Sequence, residues 1–264
     1  MNDFDFDVVA FGAHPDDVEL TCGGTIRKLA KIGYKIALVD LTQGELGSRG
    51  DVATRQAESK EAAKILGIQY RENLNLPDGA LDGLASGEPQ ADTSQLSKVV
   101  SAIRRLKPQI ILCNYGECRH PDHLACEQLV TRAVFFAALP KYKIKDENTA
   151  AFKTRQVLYY ASRFEFSPSF IVDVTDVIAE KDAARKAYAS QLGLDNKPGH
   201  KTLLSSPLLL DSLDARDRYY GAMIGVPYGE PFMCRAALKI EDPVALFSNY
   251  TPDSASIFPI KLVP

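Results

Sequence analysis

In Phe6-Asp7-Val8-Val9-Ala10-Phe11-Gly12-Ala13-His14-Pro15-Asp16-Asp17, the run from Phe6 to Phe11 is short, apolar and β-rich, and reads as a buried strand. It gives way to a turn carrying His14, Asp16 and Asp17. A helical pattern follows from about Val18 to Lys31, with Gly33 as its stop. The succession then repeats. Lys35 to Leu41 reads as a strand, Thr42 to Asp51 as a loop with Gly44, Gly47 and Gly50, and Val52 to Leu66 as an amphipathic helix stopped by Gly67. Tyr70 to Leu74 is a third strand and Leu96 to Leu106 a helix. Lys107-Pro108 breaks that helix before the strand Ile110 to Cys113, and a further helix runs from about His123 to Ala138. Strands alternating with helices predict a Rossmann-like α/β fold, a mostly parallel sheet with helices on both faces. In such sheets ligands bind outside the carboxyl ends of the strands.

Beyond residue 150 the pattern loosens. Gln156 to Tyr160 and Phe170 to Val174 read as strands, and Ile178 to Gln191 and Leu213 to Met223 as helices. Leu192 to Leu210 has no clear period and reads as a flap or an oligomer contact. No Gly-, Ser- or Pro-rich linker divides the chain. The expectation is one domain over residues 1–264, with a core at about 1–140 and substrate-site and oligomer elements at about 150–264.

With 45% hydrophobic and 25% charged residues, there is material for a sizeable core. The net charge of −3 gives no reason to expect nucleic-acid or membrane attraction. No apolar run approaches the ~20 residues needed to cross a bilayer. The acidic start Met1-Asn2-Asp3-Phe4-Asp5 lacks a signal-peptide shape, so a cytoplasmic protein is expected. Five cysteines, an odd number with no CxxC pair, argue against a disulfide framework or a thiolate zinc knuckle. Cys22 and Cys113 read as packing residues. Cys118, two residues before His120, reads as a wall of the site rather than a ligand.

Three of the four histidines fall in two motifs, Ala13-His14-Pro15-Asp16-Asp17 and Arg119-His120-Pro121-Asp122-His123. The second follows the apolar run Ile110-Ile111-Leu112-Cys113. A single His-Pro-Asp is commonly a loop whose Asp caps a helix. Two of them at two strand ends point to a metal. The simplest ligand set is His14, Asp17 and His123, with an open fourth position, which suits Zn²⁺ and also admits Fe(II). Asp16 is then the nearest free carboxylate to serve as general base. His120, if protonated, suits oxyanion stabilisation or proton donation to a leaving amine. Asp122 suits holding His120 or a ligand histidine in orientation. His200 reads as a solvated loop histidine.

These residues resemble the signature of the LmbE-like (PIG-L) zinc N-deacetylases. The likeness lies in Phe11 to Glu19 with Gly23-Gly24-Thr25, Asp40 to Gly47, Arg55 with Glu58, and His120 to His123. It extends to the branch that serves bacillithiol biosynthesis, through Leu76-Pro77-Asp78, Asn114, Pro168-Ser169-Phe170 with Asp173, Lys186 to Gln191, Ala215 to Arg218, and Gly225 to Phe232. The resemblance implies hydrolysis of the acetamide of N-acetylglucosaminyl-malate to glucosaminyl-malate and acetate. It implies one zinc on His14, Asp17 and His123, Asp16 as base, and His120 as acid or oxyanion partner, with Asp122 counted among the catalytic residues. Substrate-binding roles are implied for Arg55, Arg119, Glu45, Asp78 and Tyr188. A small-molecule sugar conjugate is the implied partner, and a homo-oligomer, trimer or hexamer, the implied assembly. From spacing alone, Arg55 is a helix residue that pairs with Glu58 at i+3. Cys118 stands where the branch often has an acidic residue, and Leu124 where it often has Gly.

Rival readings keep the chemistry but change the acceptor to an inositol-linked, oligosaccharide or thiol conjugate, or abandon it. Phosphoryl transfer on Mg²⁺ at Asp16 and Asp17 is disfavoured, because imidazoles are poor Mg²⁺ ligands and no GxxxxGK[ST] loop occurs. A non-catalytic, metal-stabilised binding module would not need a spare carboxylate and imidazole beside the metal.

Overall fold

The computed structural model describes residues 5–83, 94–144, 149–162, 164 and 166–248. Both ends of the expected domain, residues 1–4 and 249–264, lie outside them. The first part alternates β1 (Phe6–Gly12), α1 (Asp17–Lys31), β2 (Ile36–Thr42), α2 (Val52–Leu66), β3 (Tyr70–Leu76), α3 (Gln95–Leu106), β4 (Pro108–Asn114) and α4 (Pro121–Ala137). Then come β5 (Gln156–Tyr160), β6 (Phe170–Asp173), α5 (Ile178–Ala187), α6 (Ala189–Leu192), α7 (Leu209–Met223), β7 (Gly229–Cys234) and α8 (Pro243–Phe247).

The strands form one seven-stranded sheet in the order β3-β2-β1-β4-β5-β7-β6. β3 through β5 in that order are parallel, and β7 runs antiparallel to both its neighbours. Alternation along the strands divides the core. Val9 and Phe11 of β1 pack with Val39 of β2, Ile111 of β4, Val99 and Ile103 of α3 and Leu129 of α4. Val8 and Ala10 face the other side, with Val18 and Ile26 of α1, Leu38, Ala62 and Leu66 of α2, and Ala184 of α5. This two-faced burial explains why β1 and β2 read as nearly continuous apolar runs.

The chain leaves β1 toward β2 on one side and reaches β4 on the other, in register Val8↔Ile110 and Ala10↔Leu112. That reversal opens a crevice at the carboxyl ends of β1 and β4. The two His-Pro-Asp turns emerge there side by side.

Three departures have local causes. The single helix expected over Ile178 to Gln191 is broken at Tyr188 (φ −82°, ψ 51°). The Tyr188 hydroxyl is tied to Glu19 and Arg71, and the Ser190 N–H to Glu58, and these bonds outweigh continuation of the helix. β7 carries no strand signal because Gly229 and Pro231 interrupt it. Pro231 is accommodated because the ladder with β5 begins only at Phe232. Helix α1 kinks at Cys22, where the Glu230 carboxylate accepts the N–H groups of Gly24 and Thr25 at 2.8 and 2.7 Å. A Cβ on Gly24 would stand 2.8 Å from that carboxylate and 2.9 Å from Val174 Cβ, so glycine is required. Among the described residues no helix is long and apolar enough to cross a membrane.

Candidate active site and metal centre

The turn after β1 sets the first half of the site. Asp17 opens α1, and its Oδ2 accepts the His14 backbone N–H at 3.0 Å. This bond folds the turn so that His14 and Asp17 share one side. Asp16 between them has φ 129°, a conformation few side chains adopt. The second half comes from the start of α4. His120 is its N-cap, with Nδ1 accepting the Asp122 N–H at 3.3 Å, and Pro121 occupies the first turn, where no N–H is needed. His123 follows one turn later.

The structure brings His14, Asp17 and His123 together. Asp17 Oδ1 lies 3.1 Å from His123 Nε2, and Asp17 Oδ2 lies 3.6 Å from His14 Nδ1. Ring centroids of His14 are 4.7 Å from His120 and 5.6 Å from His123, and His14, His120 and His123 each offer a ring nitrogen within 4.8 Å of the others. The far side of His14 is bracketed. Its Nε2 faces Asp78 Oδ1 at 3.0 Å and Asp122 Oδ2 at 3.2 Å. Those carboxylates also accept the backbone N–H groups of Leu46 and Gly79. With protein donors on them, Asp78 and Asp122 form a clamp on the imidazole rather than a second cation site.

The electrostatics fit a cation. Burial opposes charging His123, yet the Asp17 carboxylate, with Cys118 behind the ring, pushes its pKa up to about 10. Burial likewise opposes charging His14, and Asp122, Asp17 and Asp78 raise it well above the ordinary value. Burial would raise Asp17, but His123 and His14 hold it well below the usual carboxylate range. Burial raises Asp16 to about 7, with Arg55 pulling down and Asp17 pushing up. Asp16 Oδ2 is buried without a hydrogen-bond partner, and the nearest cation, Arg55 Nη2, stands 3.9 Å away. A buried orphan carboxylate oxygen beside two imidazoles and a second carboxylate suits a divalent ion with a water next to it. His120 is pushed below its ordinary value by burial and by the charges of His14 and His123, which runs against the expected imidazolium. Because its Nδ1 accepts a backbone N–H, the neutral ring carries its proton on Nε2 and still offers a donor.

A cavity of about 600 Å³ opens onto these groups. Arg55, Asp78, Cys118, Arg119 and His120 line it. Arg55 is buried and reaches toward Asp16 across Gly44 (φ 67°), where any Cβ would collide with the guanidinium. Its expected partner Glu58 instead accepts the N–H and Oγ–H of Ser190. Arg119 is exposed, with no ion pair among the described residues.

Two residues expected to contact substrate are not among those lining the cavity. Tyr188 is 0% exposed and does not line the cavity. Its hydroxyl lies 2.8 Å from Glu19 Oε1 and 3.1 Å from Arg71 Nη2, inside the core. Glu45 does not line the cavity either. Its carboxylate accepts the N–H groups of Asp78 and Gln43 and so staples two loops together. Asp122, expected to hold His120 or a ligand histidine in orientation, touches His14 and is not among the residues lining the cavity. Sequence reasoning missed Arg216 and Ser162, which also line it. Arg216 donates to the carbonyls of Ser162 and Leu20 at 3.1 Å each. Its place in Ala215-Arg216-Asp217-Arg218 was the available signal. The stretch expected to be a flap or oligomer contact supplies Leu203, Leu204 and Leu209 to the cavity wall.

Residues 9–134 match the family described as PIG-L, GlcNAc-PI de-N-acetylase. A conserved protein of Thermus thermophilus superposes with a TM-score of 0.76 and 34% identity, covering 89% of this chain and 98% of that one. The N,N'-diacetylchitobiose deacetylase of Pyrococcus horikoshii gives 0.72 and 25%, covering 93% and 86%. The diacetylchitobiose deacetylase of Thermococcus kodakarensis is 29% identical over 84% of this chain and 80% of its own. These likenesses place the chain among the α/β N-deacetylases. The chain belongs to the PIG-L (LmbE-like) family of N-deacetylases.

Proposed function

We propose that this chain is a zinc-dependent N-deacetylase acting on a small N-acetylglucosamine conjugate, with N-acetylglucosaminyl-malate of bacillithiol biosynthesis as its substrate. The observation that carries the reading is the unpartnered, buried Asp16 Oδ2 beside His14, Asp17 and His123 at an open cavity. Zn²⁺ held by His14, Asp17 and His123 would polarise the acetamide carbonyl and make a water more acidic. Asp16 takes the proton of the attacking water at its free oxygen, and the water oxygen bonds to the acetyl carbon. His120 donates its Nε2–H to the oxygen that becomes negative. The C–N bond then breaks, the amine nitrogen takes up the proton held by Asp16, and the remaining water proton passes from the acetic acid to that amine, so that acetate and an ammonium leave. Asp78 and Asp122 keep His14 in orientation throughout.

The malate conjugate is favoured by Arg119, an exposed guanidinium on the cavity wall with no carboxylate of its own among the described residues. A planar fork suits a carboxylate better than an ammonium does. The deciding experiment measures acetate release from N-acetylglucosaminyl-malate, N-acetylglucosamine, diacetylchitobiose and N-acetylglucosaminyl-inositol, with metal content on the same sample. The malate conjugate should give the highest kcat/KM, with one zinc per chain, and iron(II) loading should be compared. Preference for diacetylchitobiose or the inositol conjugate would move the substrate. No acetate from any of them with the metal bound would refute the deacetylase reading.

A further inference from the structure

Cys118 lies at the cavity wall, with Sγ 3.1 Å from His123 Nδ1. The opposite nitrogen of that ring, Nε2, faces Asp17 Oδ1 at 3.1 Å. The imidazole is therefore spanned, with one edge toward the shared carboxylate and the other on sulfur. His14 is spanned in the same way with the nitrogens exchanged. Its Nδ1 turns toward Asp17, and its Nε2 rests between Asp78 and Asp122. An imidazole that binds a metal through one nitrogen gives its other N–H to an acceptor, usually a carboxylate, carbonyl or water, which sets the ring's orientation and basicity. Two carboxylates do this for His14. Among the described residues, no carboxylate or carbonyl oxygen is hydrogen-bonded to His123 Nδ1; the cysteine sulfur is its partner.

We propose that Cys118 is the positioning residue of His123: its sulfur accepts the Nδ1–H bond and fixes the ring that presents Nε2 to the metal. The inference rests on the reading of His123 as a ligand. Sulfur is a weaker acceptor than a carboxylate, so His123 is the less firmly braced of the two imidazoles. Retention of the metal then depends on a thiol that the cavity exposes.

The test is zinc release to excess chelator, followed by a colorimetric indicator, from the zinc-loaded protein. Cys118→Val keeps comparable bulk and removes the acceptor, and should release zinc roughly 10–100-fold faster than the parent. Cys118→Asp restores an acceptor and should return release to the parent rate or slower. Thermal unfolding of the metal-free forms should be alike, and Cys118→Ala replaces the valine variant if that fails to fold. Parent-like release from the acceptor-less variant overturns the proposal. So does failure of Cys118→Asp to recover, which would reduce the sulfur to packing. His123→Ala separates the two ideas. If it keeps full zinc, the ligand reading falls and this inference with it. If it loses zinc while Cys118→Val holds it, only the positioning role falls.

Discussion

Asp16→Asn isolates the base from everything else the turn does. Asn tolerates positive φ better than most residues, so the backbone at 129° is kept where Asp16→Ala would strain it. The substitution removes the one carboxylate oxygen of the site that is buried and unpartnered. No neighbour can replace it. Asp17 faces His14 and His123, while Asp78 and Asp122 are committed to His14 and to backbone N–H groups. Loss of a positioned general base costs about 10²–10⁴ in rate, which is ~2.7–5.4 kcal/mol at 1.36 kcal/mol per tenfold. With no substitute carboxylate, kcat should fall at least about a hundredfold while zinc content stays at the parent level. The parent's pH profile follows from the same group. Asp16 must be ionised to accept a proton, and burial raises its pKa to about 7. Activity is therefore lost as pH falls through that value, and a divalent cation beside the carboxylate moves the limb lower. Acetate release across pH 5–9, with metal analysis of each sample, is the assay. A folded, zinc-loaded Asp16→Asn enzyme with near-parent kcat, or one that keeps the acid limb, would refute the assignment.

His120→Ala should retain zinc and lower kcat more than it raises KM, since the lost donor matters most in the transition state; zinc loss would mean His120 and His123 have exchanged roles. Arg119→Ala should raise KM for the malate conjugate by about one to two powers of ten, from a charged hydrogen bond of about 1.5–3 kcal/mol, and leave N-acetylglucosamine turnover unchanged. Equal losses on both substrates would exclude a role in reading the aglycone. Tyr188→Phe should leave KM unchanged and destabilise the protein by about 1.5–3 kcal/mol, because its hydroxyl bonds two charged groups; a raised KM at unchanged Tm would restore it to the substrate site. Lys181→Met strips a buried ammonium from Asp217 and Glu230, each 2.6 Å away. It should cost about 3–5 kcal/mol, or roughly 6–20 °C in Tm, and a smaller shift in calorimetry would show that Arg185 alone satisfies Asp217.

The sheet up to α4 was legible because its signals are local. Runs such as Val8 to Phe11 and Ile36 to Leu41 are buried on both faces, so nothing polar but Asp40 interrupts them. The helices between them end on Gly67, which takes φ 76°, and on Lys107-Pro108. The second part of the chain lacked such signals. β7 is paired on both sides, yet contains Gly229 and Pro231, and is held by ladders whose ends are staggered. Its reason for being a strand lies in β5 and β6 rather than in its own residues. The break at Tyr188 has the same origin, since helical propensity continues through it and Glu19, Arg71 and Glu58 decide otherwise.

The site divides along a similar line. Which side chains stand at the strand ends follows from the order of residues, because β1 and β4 are neighbours and each spills a His-Pro-Asp turn over the same edge. Which nitrogen of each ring looks inward does not follow. His14 and His123 present opposite nitrogens to Asp17 because their backbones arrive from different elements, one from a turn and the other from the first turn of α4. Each ring then needs an outer acceptor on the opposite edge, and the fold supplies it from whatever lies there. For His14 that is Asp78, brought in from the end of β3 and held by Leu46, together with Asp122. For His123 the group on that edge is Cys118, on the approach to α4. Asp78 therefore both lines the cavity and contacts His14. The same logic moves Glu45 one step further out, since it holds the backbone N–H of Asp78. A chain of hydrogen bonds thus runs from Glu45 through Asp78 to His14, and a change at its exposed end should reach the metal before it reaches the substrate.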